Sequence, residues 1–312
     1  MSFGSAQGTG ASAVNPEVMP LIDLSDVGAT TGSGTTVVLS GNPTIASPTI
    51  ASLANAQHDH TNAAGGGNVI APLVGGLVSN LVIEITSVSA LSITADAIQV
   101  SGVSIINVSE TLDITVSGAG GLQSGSVEAV STWYQVHLLT NADGTDVAGM
   151  LVPVGTTLVI PSPYTKSRRV GYAYNNASSN FKIGKKSGDW WYYRDPLNDS
   201  AILTNGQATV ATDVAGATAI PPTSRLALLQ VQSRTAHTVA NISFGSTVRE
   251  NGTTTSTVFV SQYSQVSTII VANSETRPCP CDSSQVFEYM IDTAPDVSGG
   301  TTIRVIEYYD PI

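Results

Sequence analysis

Two of the four histidines of the chain stand two positions apart, at His58 and His60, and a run of three glycines follows at 65–67. Side chains at positions i and i+2 of an extended strand point to the same side. One such pair offers too few ligands for a metal ion, whereas three pairs around a threefold axis offer six imidazole nitrogens. That number suits an octahedral transition metal rather than tetrahedral zinc. The spacing predicts a metal site at His58 and His60 in a trimer, with a solvated turn as the alternative.

Short repeated and alternating segments surround this motif. The five residues 43–47 are repeated at once as 48–52. Beyond the glycines, segments that alternate apolar with small polar residues have the period of half-buried strands. These segments are 91–93, 98–100, 103–105 and 112–116. Because they are shorter than most strands of single-chain sandwiches, we predict an intertwined trimeric β-stalk over 43–125.

The composition of residues 1–132 supports a core shared between chains. No Lys or Arg precedes Lys166, and Phe3 is the one aromatic residue before Trp133. This part therefore lacks the large side chains that fill most single-chain cores. It carries nine acidic residues of a chain whose net charge is −11. An acidic chain without a basic tract argues against nucleic-acid binding, which needs cations to replace phosphate counterions.

The N-terminal segment 1–42 is polar and rich in Gly, Ser and Thr, with one short apolar island. Such an island is typical of a tail that docks into a partner's groove, although it fits packing on the chain's own stalk equally well. The predicted attachment residues are Val18, Met19, Leu21, Ile22 and Leu24. We see neither a secretory signal nor a membrane-spanning segment, so we expect assembly in a cytoplasm.

From Trp133 onward the chain shows the strand and turn signals of globular all-β domains. Segments 181–186 and 189–194 flank Ser187 and Gly188, a tight-hairpin signal. Six further strand candidates follow, at 227–232, 239–244, 257–260, 268–272, 286–291 and 302–309. With boundaries at the glycines near 125 and at Pro221-Pro222, we predict one or two β-sandwich, jelly-roll-like domains at 126–222 and 223–312.

Candidate ligand-binding residues cluster between 166 and 194. In the run Trp190-Trp191-Tyr192-Tyr193, one alternating pair enters the core, and the other faces a subunit contact or stacks on sugar rings. Six of the twelve basic residues of the chain lie at 166–186. They are expected to bind phosphates of host polymers or, as the alternative, to face only solvent. The candidate site consists of Trp191, Tyr193, Lys182, Lys185, Lys186 and Arg168.

No arrangement of residues points to catalysis. Glycan cleavage needs two carboxylates at a defined separation, and no spacing singles out a pair among Asp189, Asp195, Glu250, Glu288 and Asp292. His137 and His237 lie on or beside predicted strands without a nucleophile motif. Cys279 and Cys281 are interpreted as a free, buried pair, because two thiolates lack the further ligands that zinc needs. We therefore predict a protein that is not an enzyme.

Residues 43–67, with the repeat, the His-Asp-His motif and the glycines, resemble a segment of tailed-bacteriophage fibre and appendage proteins. Residues 133–194, which include Tyr164-Thr165-Lys166-Ser167-Arg168-Arg169-Val170-Gly171, are similar to β-rich domains of phage structural proteins. The resemblance implies a homotrimer located in the virion and assembled in the bacterial cytoplasm. It also implies iron on the threefold axis at His58 and His60.

The same resemblance implies that 1–42 binds other virion proteins and that the C-terminal β domain faces the host surface, where a glycan is the expected partner. We expect neither nucleic-acid binding nor membrane insertion. Two alternatives remain open. One is a purely structural spike, decoration or collar fibre without a receptor. The other, which the sequence favours less, is a short glycan-depolymerase tailspike.

Overall fold

A computed structural model describes residues 77–239, 241–264 and 270–312 of the chain. The predicted metal ligands His58 and His60 and the predicted attachment residues between 18 and 24 lie outside the described residues. The metal site and the attachment segment therefore stay predictions.

The described part of the chain is nearly all β, which confirms the predicted class. The strands are β1 (Val78–Ser79), β2 (Val82–Ile85), β3 (Ala90–Val100), β4 (Val103–Ser117), β5 (Gly121–Leu122), β6 (Thr132–Thr140), β7 (Val147–Pro153), β8 (Lys166–Asn175), β9 (Gly184–Ser187), β10 (Trp190–Tyr193), β11 (Ala201–Gly206), β12 (Thr212–Ala215), β13 (Leu226–Ala236), β14 (Ile242–Glu250), β15 (Val258–Ser264), β16 (Val271–Pro280), β17 (Val286–Ile291) and β18 (Ser298–Tyr309). One four-residue helix, α1 (Pro196–Asp199), starts where the Asp195 side chain accepts a hydrogen bond from the Asn198 amide. No helix within these residues is long and apolar enough to cross a membrane.

The strands form two sheets. The first has 14 strands and runs in the order β16-β13-β18-β10-β9-β2-β3-β4-β5-β7-β6-β8, with β1 paired to β3 and β11 paired to β18. The second has four strands in the order β12-β17-β14-β15. Neighbouring strands are antiparallel except that β5 runs parallel to both β4 and β7. Strands from the N-terminal and C-terminal parts of the described chain therefore share one sheet.

Strands β3 and β4 form one long hairpin rather than the series of short pieces that the sequence predicts. They have 11 and 15 residues and meet at a tight turn, where Ser101 and Gly102 both have positive φ. This is the backbone that a two-residue hairpin loop requires. The side chains of Leu91, Ile93 and Leu112 are fully buried within this one chain. Residues of 77–125 thus bury apolar side chains within one chain, and the intertwined trimeric stalk predicted over 43–125 stays a prediction.

A cluster of aromatic side chains fills the core between β6, β8, β10 and β18. The ring centroids of Trp133 and Tyr174 lie 4.9 Å apart, and those of Trp133 and Tyr308 lie 6.0 Å apart. Trp191 stacks on Tyr308 at 6.0 Å with an interplanar angle of 11°. Tyr308 thus packs against residues from the other side of the boundary predicted at 222/223. The division into separate domains stays a prediction, and this aromatic core continues across the predicted boundary.

The second sheet contacts the first through both polar and apolar groups. The hydroxyls of Ser246 on β14 and Thr301 on β18 lie 2.6 Å apart, and both side chains are buried. Val248, Val258 and Phe287 of the second sheet belong to the same hydrophobic cluster as the residues of the first sheet. A shared core therefore joins the two sheets.

The two cysteines are free and buried, as predicted. Burial raises the pKa of Cys279 to about 12 and the pKa of Cys281 to about 11. Because the thiolate is the form that reacts and binds metals, both groups are inert side chains of the core near neutral pH.

His137 on β6 gives the fold a pH dependence. Its side chain is 7% exposed, and burial, followed by the positive charge of Arg169, lowers its pKa from 6.5 to about 4. The unfolded chain therefore binds a proton between pH 6.5 and 4 that the folded chain does not bind. We expect the free energy of unfolding to fall by about 2–3 kcal/mol as the pH drops through this window. Urea unfolding at a series of pH values measures the change.

The control for this prediction is His137→Met, which introduces an apolar side chain of similar length and removes the titrating group. The pH dependence of the variant between pH 7 and 5 should be clearly flatter than that of the natural chain. Equal slopes for the two proteins would show that His137 does not contribute.

Candidate functional site: an aromatic face beside a small pocket

The β9–β10 hairpin places the aromatic run in the middle of the large sheet. The structure confirms a tight hairpin but shifts its loop by one residue, to Gly188 and Asp189, because Ser187 pairs with Trp190. Gly188 has φ +59°, a conformation that glycine adopts at low cost. The pairing places Lys186 opposite Trp191 on one face of the sheet and Lys185 opposite Tyr192 on the other.

Trp191 and Tyr193, which the sequence analysis assigns to ligand binding, form the inner pair. They are 2% and 6% exposed, and the Tyr193 hydroxyl donates to the Ala219 carbonyl. Gly184 passes so close to the indole that a Cβ there would lie 2.5 Å from Nε1 of Trp191. A ring enclosed by the chain's own core offers no face to a sugar, so the outward pair is Trp190 and Tyr192 instead.

The outward rings meet a tyrosine from the neighbouring strand. Trp190 is paired with Tyr309 on β18, and their ring centroids lie 5.3 Å apart with an interplanar angle of 58°. Tyr192, which is 41% exposed, lies between Lys185 on β9 and Glu307 on β18. We call Trp190, Tyr192 and Tyr309 the aromatic face. Three paired strands of the sheet hold it, so its rings need little ordering when a ligand binds.

Charged side chains beside the aromatic face are largely paired with one another. Glu84 on β2 forms ion pairs with Lys185, at 3.9 Å, and with Arg194. Burial raises the pKa of Glu307. Because the two cations Lys185 and Arg194 are balanced by the two carboxylates Glu84 and Glu307, the surroundings of the aromatic face carry little net charge, which favours an uncharged ligand over a phosphate polymer.

The other basic residues of the predicted ligand site point elsewhere. Lys186 is fully buried, with its ammonium 3.0 Å from a carboxylate oxygen of Asp310. Lys182 donates to the Thr218 carbonyl, and burial lowers its pKa to about 8. Arg168 donates to the Gln99 carbonyl at 2.7 Å. Of the predicted cations, the structure brings Lys185 to the aromatic face and uses the others in contacts within the fold.

A pocket of about 380 Å³ opens at one end of the aromatic face. It is lined by Val78, Asn80, Leu81, Ser187, Gly188, Asp189 and Ile312. Ser187 is the pairing partner of Trp190, and the Tyr309 hydroxyl lies 3.5 Å from Oδ2 of Asp189. The pocket thus lies next to the aromatic face, with Ser187 and Asp189 between them. Sequence analysis missed the pocket because its wall combines three segments that are distant along the chain.

The described residues show no metal centre, and three of the candidate carboxylates have other roles in the fold. They include no group of three or more His, Cys, Asp and Glu side chains that could hold a metal ion. Glu288 forms an ion pair with Arg249 at 2.7 Å, and this interaction lowers the pKa of Glu288. Asp195 caps α1, and Asp189 lies in the wall of the pocket. These positions do not test the prediction that the chain is not an enzyme.

Comparison with known protein families finds no family that matches the sequence, and no curated protein matches it. The function is therefore inferred from two sources. One is the geometry of the aromatic face and the pocket. The other is the resemblance of residues 43–67 to phage fibre segments.

Proposed function

We propose that this chain is a fibre or appendage protein of a tailed bacteriophage and binds a glycan on the host surface. In this proposal residues 1–42 attach to other virion proteins, and three chains join in a stalk that includes 43–67. His58 and His60 from each chain hold one transition metal, iron by resemblance. The two packed sheets form the β-sandwich head that faces the host. The resemblance of residues 43–67 and the all-β fold support this assignment.

The observation that carries glycan binding is the aromatic face. The apolar face of an indole or phenol ring packs against the C–H groups of a pyranose, and its edge leaves room for polar neighbours. Trp190, Tyr192 and Tyr309 lie on rigid strands, with Lys185 and Glu307 beside them. This combination of apolar rings and hydrogen-bonding groups suits a sugar chain.

Trimerisation would turn weak contacts into firm attachment. A single ring–sugar contact contributes on the order of 1 kcal/mol, which is too little to hold a particle on a cell. Three heads on one stalk raise the effective concentration of the second and third contacts and so raise the overall avidity. Firm attachment to the host therefore needs both the binding site and the stalk that joins three copies of it.

The aromatic face is tested by the substitution Trp190→Ala. We expect the purified protein to bind one or more glycans on an array of host-surface polysaccharides. The variant should lose at least about fivefold in apparent affinity, because a lost contact of about 1 kcal/mol corresponds to roughly fivefold. Phe259→Ala is the matched control, because Phe259 is an exposed aromatic residue of the second sheet, at 51% exposure. Unchanged glycan binding by Trp190→Ala would contradict the role of the aromatic face as the glycan site.

The stalk has a separate test. Light scattering should give the mass of three chains, and metal analysis should give one transition-metal ion per trimer. The double substitution of His58 and His60 by alanine should remove the metal. A monomer without metal would contradict the stalk, and a trimer that binds no host glycan would indicate a purely structural fibre.

A further inference from the structure

We infer that the pocket beside the aromatic face receives the terminal residue of an uncharged glycan chain, while the next residue stacks on Trp190 and Tyr309. This inference rests on the proposed glycan binding and names the part of the glycan that is recognised. It follows from the position, the size, the lining and the charge of the pocket.

The position of the pocket makes it an end point for a chain that crosses the aromatic face. Its wall includes Ser187, the pairing partner of Trp190, and Asp189, whose carboxylate lies near the Tyr309 hydroxyl. A sugar residue on Trp190 therefore has the pocket directly beside it. On the far side the wall is formed by Val78 of β1 and by Ile312, which packs against the hydrophobic core.

The pocket is small. Its volume of about 380 Å³ lies near the lower end of the range of roughly 300–1,000 Å³ that is usual for ligand sites. Such a volume holds a sugar residue or two but not a continuing polysaccharide. A pocket of this size matches the end of a glycan chain rather than a long stretch of it.

The lining matches the two kinds of surface that a sugar presents. Val78 and Ile312, which are both partly buried, provide apolar contact for the C–H face of a pyranose ring. Asn80, Ser187 and Asp189 provide an amide, a hydroxyl and a carboxylate. A carboxylate accepts strong, charge-assisted hydrogen bonds from hydroxyl groups. A terminal residue carries one more free hydroxyl than an interior residue, the one that would otherwise form the next glycosidic bond, and the polar groups of the pocket can bind it.

The charge of the pocket excludes acidic sugars. Asp189 is the one ionisable side chain among the residues that line it, and Asn80 donates a hydrogen bond to a second carboxylate, that of Asp96. Phosphate, sulfate or uronate groups would meet these negative charges without a cation in the lining to offset them. The nearby cations Lys185 and Arg194 are paired with Glu84. The pocket therefore suits a neutral terminal sugar.

The test uses an array of neutral oligosaccharides built from glucose, galactose, mannose and N-acetylhexosamine. Each chain is printed twice, once with a free non-reducing end and once with the hydroxyls of its terminal residue methylated. The unsubstituted protein is compared with two variants. Asp189→Asn keeps the shape of the side chain and removes its charge. Asn80→Gly removes the amide, and glycine tolerates the φ of +51° at this position. Asp213→Asn, on exposed β12 of the second sheet, is the matched control.

We expect methylation of the terminal sugar to reduce binding by the unsubstituted protein by at least about tenfold. Asp189→Asn and Asn80→Gly should each weaken binding to the free-ended chains, and Asp213→Asn should not. If Trp190→Ala weakens glycan binding but neither end methylation nor Asp189→Asn does, the role of the pocket would be overturned and the proposed function would stay intact. Absence of binding to every array glycan, neutral or host-derived, would overturn both.

Discussion

Replacing Asp310 with alanine should lower the free energy of unfolding by about 3–5 kcal/mol, the usual cost of removing one partner of a buried ion pair. The Asp310 side chain is 1% exposed and contacts two cations, Arg169 at 2.8 Å and Lys186 at 3.0 Å. Without it, the Lys186 ammonium stays in a fully buried site with only the weaker attraction of Asp189 to offset its burial. Burial already lowers the pKa of Lys186, and Asp310 opposes that effect.

The measurement is the urea unfolding curve of each purified variant. Asp213→Ala serves as the control, since Asp213 is exposed and surface substitutions usually change stability by no more than about 0.5 kcal/mol. Adding Lys186→Met to Asp310→Ala should recover part of the loss, because an apolar side chain then occupies the buried site in place of an unpaired charge. A loss below about 1 kcal/mol for Asp310→Ala would contradict the role assigned to this ion pair.

Replacing Trp191 with alanine should destabilise the fold by about 3–5 kcal/mol, the usual cost of truncating a buried aromatic side chain. Its ring stacks on Tyr308 and lies edge-on to Tyr193 at 6.4 Å. Gly184 also lies against the indole. An alanine would leave a cavity that rigid strands on both sides cannot close.

The neighbouring residue provides the matched comparison. Trp190→Ala should cost about 1 kcal/mol or less in thermal or urea unfolding, because Trp190 lies on the outer face and its main contact is Tyr309. The two variants should therefore show opposite patterns. Trp191→Ala loses stability, whereas Trp190→Ala keeps stability and loses glycan binding. Equal destabilisation by both substitutions would contradict the assignment of faces.

Local sequence patterns predict the strands well where the two-residue period is clear. Segment 286–291 is predicted and observed with the same ends, as β17. The predicted segment 239–244 overlaps the observed β14 less well, because that strand begins at Ile242. A period of two depends on neighbouring residues only, so it identifies a strand before anything is known about its partners.

The candidate site was only partly predictable. The sequence marked the aromatic run and Lys185, of which Trp190, Tyr192 and Lys185 belong to the observed surface. The sequence analysis assigned Trp191 and Tyr193 to the outer face. Alternation shows that the two pairs lie on opposite faces of the strand, but it does not show which pair is buried. It also grouped Lys186 with the exposed cations, because the partner that allows its burial, Asp310, lies 124 positions away.

By itself, the sequence determined the all-β class, the positions of most strands after Trp133, and the free, buried state of Cys279 and Cys281. These properties follow from composition and from local alternation. Only the tertiary structure decided that 78–122 completes the core of its own chain, that Trp190 rather than Trp191 faces outward, and that Asn80, Asp189 and Ile312 share a pocket. The physical reason is that burial and proximity depend on strand pairing between distant segments, and the period of a strand contains no information about its partner.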